Sequence, residues 1–274
     1  TSGKTSTAYY LAALLKEAGK KGGLTVSPHV DEVNERLQIG LKPMPEKQYC
    51  AELGEFIEVI EKTGTKPSYF ELLVAFAFWE FARQKVDYAV VEVGLGGLLD
   101  GTNVISRPDK VCVITDIGLD HTNVLGTSLA EIATQKAGII QKENQAFTYR
   151  QNPDVMRAIE QISTDKQAKL TVIDPLQSDI TAKDLPAFQR RNWNLAYQVF
   201  KGLLPKDKLT HKQFLNTTKT YIPARMEVIK QGKKTIILDG GHNTQKLHAL
   251  VTSIKEKFPE VSSAVLFTLT EGKD

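Results

Sequence analysis

Short apolar runs alternate with longer amphipathic stretches along almost the whole chain. Short apolar or β-branched runs are typical of buried strands, and amphipathic stretches are typical of helices that cover a sheet. Their alternation favours a mostly parallel sheet with helices on its faces. We therefore predict an α/β fold. The predicted strands are Leu24–Val26, Tyr88–Val93, Lys110–Thr115, Gln145–Tyr149, Lys169–Ile173 and Ile236–Leu238.

Two of the predicted helices begin with a capping box. Ser68 is followed three residues later by Glu71, and Ser128 by Glu131. In this arrangement the hydroxyl and the carboxylate accept hydrogen bonds from backbone N–H groups that lack partners in the first turn. Apolar periodicity follows both pairs, so each marks the start of a helix.

Composition excludes several classes of protein. With 274 residues, of which 41% are hydrophobic and 24% charged, the chain can bury one large core or two modest ones. Its 35 basic and 32 acidic residues are scattered, so it lacks the basic stripe that nucleic-acid binding requires. Its longest apolar runs are shorter than the roughly 20 residues of a membrane span. Cys50 and Cys112 lie in helix-like and strand-like stretches, which predicts free thiols in a reducing, cytoplasmic compartment.

A domain boundary is predicted near residue 231. A turn at Gln231 and Gly232 leads into a new strand, a glycine-rich turn, a helix and a strand that ends near Leu269. This order is the opening of a βαβ unit. We expect one domain over 1–231, with its first strand missing, and the incomplete start of a second over 232–274. The polar stretch Asp174–Pro186 is predicted to be a surface loop.

The chain opens with a fragment of a phosphate-binding loop. Residues 1–6, T-S-G-K-T-S, lead into a helical run, Thr7 to Ala18. In such loops, backbone N–H groups at a helix N-terminus hold phosphate oxygens, a lysine reaches the β- and γ-phosphates, and a hydroxyl faces magnesium. The alternative is a Ser/Thr helix cap followed by a solvated lysine. The predicted nucleotide-binding residues are Gly3, Lys4, Thr5 and Ser6.

Three polar residues lie just beyond predicted strand ends. Ser27, Glu92 and His121 should therefore reach the same edge of the sheet, where α/β proteins bind ligands. Oxygen and nitrogen ligands gathered around a phosphate suit Mg²⁺. Glu92 could instead cap a turn, and Asp116 and Asp120 are rivals for the metal role.

The remaining candidate residues have simple alternative interpretations. Lys136 could be a last-turn lysine that complements the helix dipole, and Asn192 could be a helix N-cap. Arg225, Asp239 and His242 cluster around the predicted domain boundary. They could be ordinary surface and turn residues, or they could share a ligand in a cleft between domains.

Short motifs with a fixed order extend over nearly the whole chain. They are S-P-H (27–29), N-E-R (34–36), E-V-G-L-G-G (92–97), L-D (99–100), T-N-V (102–104), G-L-D-H-T (118–122), L-G (125–126), K-A-G-I (136–139) and D-G-G-H-N (239–243). In this order they resemble the folylpolyglutamate synthase and dihydrofolate synthase family of the Mur ligase superfamily.

The resemblance implies a fold and a reaction. The family has a phosphate-loop ATPase domain and a smaller Rossmann-like C-terminal domain, with ATP between them. A folate or dihydropteroate carboxylate is phosphorylated to an acyl phosphate, and the amine of L-glutamate then displaces phosphate to form an amide. The implied cofactors are ATP as a substrate and two Mg²⁺ ions. We expect a cytoplasmic monomer that binds small molecules and neither nucleic acid nor membranes.

The resemblance also implies roles for the candidate residues. By position, Ser27, Glu92 and His121 resemble the magnesium ligands, and Lys4 resembles the phosphate-binding lysine. Lys136 stands where the family carries a carbamylated lysine, so the resemblance favours a modified residue over a lysine that only complements the helix dipole. A carbamate turns the cation into an anion that can support the second magnesium. The residues that resemble those holding ATP are Asn192, Arg225 and Asp239, with His242 beside them as a catalytic residue.

Several positions depart from the family pattern. Thr5 and Ala224 replace the usual glycines, Leu98 the usual arginine and Gly241 the usual alanine. Asn194 competes with Asn192, since the usual histidine of the surrounding motif is absent. Two alternatives therefore stay open: a Mur-type ligase acting on a UDP-muramoyl or other acid, and a non-catalytic nucleotide-binding protein.

Overall fold

The structure is a computed structural model that describes residues 2–174, 182, 184–260 and 262–268. The helices are α1 Lys4–Glu17, α2 Glu46–Thr63, α3 Tyr69–Arg83, α4 Thr122–Leu125, α5 Leu129–Ala137, α6 Pro153–Asp165, α7 Ala187–Leu203, α8 His211–Thr218 and α9 Thr244–Lys257. The strands are β1 Gly22–Thr25, β2 Gln38–Ile39, β3 Lys42–Pro43, β4 Tyr88–Val91, β5 Val111–Ile114, β6 Gln145–Tyr149, β7 Lys169–Ile173, β8 Glu227–Gln231 and β9 Lys234–Leu238.

The predicted α/β fold with parallel strands is confirmed. β1 pairs with β4 in parallel, and β5, β6 and β7 form a second parallel ladder. β2 and β3 extend the other side of β1 as a short antiparallel pair. β8 and β9 form an antiparallel hairpin whose turn contains the predicted boundary between residues 231 and 232. Because β1 and β4 run side by side, the residues that follow them emerge at one edge.

The strand predictions were correct in position and wrong in several boundaries. β4 ends at Val91 and β5 at Ile114, earlier than expected, because the chain turns into the loops that carry Glu92 and Asp116. β2, β3 and β8 were missed, since the first two are very short and β8 mixes charged with apolar residues. Residues 262–268 form no strand with any described segment, and Leu269 lies outside the described residues. Most of the predicted Asp174–Pro186 loop also lies outside them.

Both capping boxes are present. The backbone N–H of Glu71 donates to Ser68 Oγ at 3.3 Å, and that of Glu131 donates to Ser128 Oγ at 3.2 Å. The glutamates accept in return from the backbone N–H groups of the serines, at 2.8 and 3.0 Å. α3 and α5 therefore start where the sequence predicts. Both cysteines are free thiols, with Cys50 exposed on α2 and Cys112 buried in β5.

The main core holds α1 against α7. α1 is buried over most of its length, and Leu14 and Trp193 are fully buried in the shared cluster. Burial of large apolar side chains stabilises each by about 1.5–3 kcal/mol, so this contact fixes the two helices firmly. As a result, the N-terminus of α1 lies next to Asn192 of α7.

Among the described residues, no helix is long and apolar enough to cross a membrane.

Candidate functional site

A cavity of about 530 Å³ opens where the N-termini of α1 and α9, the ends of β1, β4 and β5, and one side of α7 meet. The residues predicted for binding or catalysis line it, except Asn194, the competitor of Asn192. They are Gly3, Lys4, Thr5, Ser6, Ser27, Glu92, His121, Lys136, Asn192, Arg225, Asp239 and His242. The structure thus brings these residues together, while the role of each stays a prediction.

The N-terminus of α1 faces the cavity. The helix begins at Lys4, earlier than the predicted Thr7, and its cap residue is Gly3, which has no side chain to satisfy the first-turn N–H groups. Those groups lack acceptors within the helix, and together with the helix dipole they favour an anion. Gly3 adopts a φ of +87°, and a Cβ there would lie 2.3 Å from Asn192 Oδ1. A glycine is required at this point because α7 comes so close.

Glu92 lies at the centre of the site, one residue beyond β4. It is 6% exposed, and its carboxylate accepts from Thr5 Oγ1 at 2.7 Å and from the backbone N–H of Ser27 at 3.3 Å. Burial raises the pKa of this carboxyl group, and the nearby Lys4 ammonium and the Thr5 hydrogen bond oppose that rise. The buried carboxylate therefore joins the first turn of α1 to the segment that follows β1.

The hydroxyl of Ser27 suits a cation beside that carboxylate. Its Oγ is buried and has no hydrogen-bond partner among the described residues. A buried hydroxyl without a partner is costly, and hydroxyl and carboxylate oxygens are the ligands that Mg²⁺ takes. The described residues contain no cluster of three or more His, Cys, Asp or Glu side chains able to hold a metal. Mg²⁺ does not need one, because it keeps waters and substrate phosphates as ligands.

The two aspartates that rival Glu92 and His121 for the metal have other contacts. Arg191 donates to both carboxylate oxygens of Asp116, at 2.8 and 2.6 Å, which makes Asp116 half of a bidentate ion pair. Asp120 accepts from Asn243 Nδ2 at 3.1 Å and lies 3.8 Å from His121 Nε2. His121 itself adopts a φ of +51°, a left-handed conformation that costs a non-glycine residue about 1–2 kcal/mol.

Lys136 lies in the last turn of α5 and lines the cavity. Burial, together with the positive charges of Lys4 and Lys246, lowers the pKa of its ammonium group to about 8, although the Asp120 carboxylate opposes the shift. A substantial fraction of this lysine is therefore a neutral amine near physiological pH. Lys136 thus lies in the last turn, as its simple interpretation requires, and it also faces the cavity, so its role stays a prediction.

Asn192 does not begin a helix. α7 starts at Ala187, after Pro186, so the interpretation of Asn192 as an N-cap is wrong. Pro186 supplies the fixed φ that suits the position before a helix. Asn192 and Asn194 are both buried, at 6% and 2% exposure, but of the two only Asn192 lines the cavity. Location therefore favours Asn192 as the ligand-contacting residue.

The segments around β8 and β9 supply the opposite wall. Arg225 Nη2 donates to Thr5 Oγ1 at 3.2 Å, and Asp239 accepts from the backbone N–H groups of Met226 and Gly241 at 2.8 and 2.7 Å. Burial raises the pKa of Asp239, and those hydrogen bonds oppose the rise. Ala224 adopts a φ of +48°, a left-handed conformation that favours glycine.

Sequence reasoning missed some lining residues. Phe188, Arg191 and Lys246 also line the cavity. Lys246 Nζ lies 3.0 Å from His242 Nε2, and the two residues are four positions apart. No sequence pattern indicated this pair, because His242 precedes α9 and so lies outside its helical periodicity.

Comparison with known proteins identifies the family. A model of the Mur ligase middle domain matches residues 1–191. The chain belongs to the Mur ligase family. Within that family it is 30% identical to the mitochondrial folylpolyglutamate synthase of Bos taurus, in an alignment covering all of this chain and 54% of that protein. The chain spans about half the length of the curated relatives it matches.

Solved structures of Mur ligases share the fold. A folylpolyglutamate synthase complex with AMPPCP and folate has a TM-score of 0.84 at 28% identity, covering 95% of this chain and 70% of that one. The Mycobacterium tuberculosis folylpolyglutamate synthase complexed with ADP and AMPPCP has a TM-score of 0.82 at 30% identity, covering 94% of this chain and 65% of that one. These likenesses agree with the motif order seen in the sequence.

Proposed function

We propose that this protein is an ATP-dependent ligase of the folylpolyglutamate synthase type. It activates a folate or dihydropteroate carboxylate as an acyl phosphate and couples it to L-glutamate. The observation that carries the proposal is the meeting, in one cavity, of an open helix N-terminus with Lys4, a buried Glu92 that accepts from the Ser27 backbone N–H, and residues 239–242. The solved folylpolyglutamate synthase complex with AMPPCP and folate supports the same substrates.

The chemistry requires anions to approach one another. A carboxylate must attack the terminal phosphate of ATP, so positive groups must neutralise charge and hold the reacting atoms in line. The N–H groups of α1 and the Lys4 ammonium bind the phosphates, and Arg225 reaches the same loop through Thr5. Ser27, Glu92 and His121 would hold Mg²⁺, which supplies further neutralisation. Asn192 packs against Gly3 and fixes the position of the loop.

The organisation of the protein is part of the proposal. ATP would lie between an ATPase domain over 1–231 and a second domain beginning at 232, with Arg225 shortly before the boundary and Asp239 shortly after it. The β8–β9 hairpin crosses that boundary, which favours a division slightly before β8. The monomeric state also stays a prediction. So does the cytoplasmic location, since one relative is mitochondrial.

Substrate-dependent turnover tests the function. Full-length protein with ATP and Mg²⁺ should release ADP and phosphate only when both L-glutamate and tetrahydrofolate or dihydropteroate are present. Mass spectrometry of the folate product should show one added glutamate. Turnover only with a UDP-muramoyl acid would replace the folate assignment with the Mur-type alternative. ATP binding without amide formation from any acid would favour the non-catalytic alternative.

Replacing Gly3 by alanine should weaken the binding of AMPPCP by about tenfold or more. The left-handed backbone alone costs an alanine about 1–2 kcal/mol, a factor of roughly ten, and the new Cβ would meet Asn192. Gly19→Ala is a matched control, because Gly19 has a φ of +75° at the other end of α1 with open space around it. Calorimetric titration should show unchanged binding for Gly19→Ala. Equal affinities for both variants would contradict the proposed loop.

A further inference from the structure

His242 and Lys246 form a pair at the start of α9. His242 precedes the helix, Lys246 lies in its first turn, and both line the cavity. His242 Nδ1 lies 2.9 Å from the carbonyl oxygen of Gly240, and its Nε2 lies 3.0 Å from Lys246 Nζ. These contacts hold the imidazole from both sides.

The two contacts determine the protonation of the imidazole. A carbonyl oxygen can only accept a hydrogen bond, so Nδ1 must carry a proton and donate to Gly240. A lysine ammonium can only donate, so Nε2 must be unprotonated and accept from Lys246. His242 is therefore a neutral ring with its proton on Nδ1. In this arrangement the histidine carries no charge toward the cavity, and the charge of the pair belongs to Lys246.

Asp120 holds the ammonium from the other side. Its Oδ2 lies 4.0 Å from Lys246 Nζ and accepts from Asn243 Nδ2 at 3.1 Å. Lys246 is thus placed between an imidazole and a carboxylate, both of which come from segments that carry other site residues. Its side chain is 23% exposed, so its position is defined by packing as well as by polar contacts.

The charge of Lys246 acts on the cavity. Lys4, Lys136 and Lys246 all line the cavity, and the charges of Lys4 and Lys246 both lower the pKa of Lys136. Four carboxylates line the cavity as well, but Asp116 is paired with Arg191 and Asp239 accepts backbone hydrogen bonds. The N-terminus of α9, next to Lys246, also favours a negative group. An anionic oxygen is the group that such an arrangement recognises.

We propose that Lys246 binds an anionic oxygen of a substrate and that His242, in its neutral Nδ1–H form, positions it. The ligand group is either a phosphate oxygen of ATP or a carboxylate oxygen of the amino-acid substrate. This inference rests on the proposed ligase function, and it gives His242 the task of orienting a cation, in place of direct proton transfer.

Kinetics of the Lys246→Met variant of the full-length enzyme test the inference. Methionine keeps the length of the apolar stem and removes the charge. Loss of a hydrogen bond to a charged group typically weakens binding about tenfold or more. A tenfold rise in the KM for L-glutamate with unchanged AMPPCP affinity would identify the carboxylate as the ligand group. A tenfold loss of AMPPCP affinity with an unchanged KM for L-glutamate would identify the phosphate. Lys246→Arg, which keeps the positive charge, should show a smaller change in the same value than Lys246→Met. Lys255→Met, an exposed lysine on the same helix, is the control and should change neither value.

A double-mutant cycle tests the role of His242. If His242 acts by positioning Lys246, His242→Ala should raise the same parameter as Lys246→Met, and the double variant should be no worse than Lys246→Met alone. Additive losses would overturn the positioning role. If the wild-type enzyme is active and Lys246→Met changes neither the KM for L-glutamate nor the AMPPCP affinity, Lys246 does not bind the anionic oxygen. A wild-type protein that forms no amide would instead overturn the proposed function, and this inference with it.

Discussion

Substitution of Glu92 by glutamine should lower kcat by about a thousandfold or more while the protein stays folded. Glutamine preserves the buried volume and an oxygen that can accept from Thr5, but it removes the negative charge that lies next to the Ser27 backbone. A metal-bound phosphate site gains several kcal/mol of transition-state stabilisation from its ion, and each 1.4 kcal/mol is roughly a factor of ten in rate. Turnover as a function of Mg²⁺ concentration measures the effect, and the thermal unfolding midpoint reports the fold.

Glu80→Gln is the matched control for this experiment. Glu80 is also a fully buried glutamate, but it lies on α3 beside Arg83, at 3.5 Å, and does not line the cavity. Burial raises the pKa of its carboxyl group, as it does for Glu92. Removing the charge at Glu80 should leave kcat unchanged. Wild-type Mg²⁺-dependent turnover by the Glu92→Gln variant would exclude Glu92 from the metal site.

The convergence of Ser27 and Glu92 could be predicted because it follows from strand geometry. Thr25 is paired with Val91 in the parallel β1–β4 ladder, so the residues just beyond them emerge side by side. Sequence reasoning needs only the apolar runs and their direction to reach this result. The same reasoning placed His121 beyond β5, although the strand ends earlier than expected.

The surroundings of Asn192 and Asp116 could not be predicted, because they depend on contacts between distant segments. α7 begins five residues before Asn192, and its packing on α1 decides which of two nearby asparagines faces Gly3. The ion pair of Asp116 with Arg191 joins residues 75 positions apart, so no local pattern indicates it. Lys246 likewise became a candidate only when its contacts with His242 and Asp120 were known.

Substitution of Lys136 by alanine should reduce turnover about as severely as loss of Glu92, because it removes the amine that we propose is carbamylated. A carbamate forms from a neutral amine and CO₂, and the pKa of about 8 leaves part of Lys136 neutral at physiological pH. As pH rises through about 8, the neutral fraction of the amine rises, so the modified fraction should rise as well. Below that pH the ammonium form dominates and the modification should decline. Carbon-13 NMR of protein equilibrated with labelled CO₂ measures the carbamate directly.

Chemical rescue separates the carbamate from a purely structural role of Lys136. Small carboxylates such as acetate should restore part of the activity of Lys136→Ala, because they can place an anion in the space that the side chain leaves. They should not restore Glu92→Gln, which keeps its side-chain volume. Lys142→Ala, an exposed lysine shortly after α5, should behave as wild type with or without acetate. Fully active enzyme whose Lys136 carries no added carboxyl group at pH 8 would refute the modification, and the positive charge of Lys136 would then have to act on the phosphates itself.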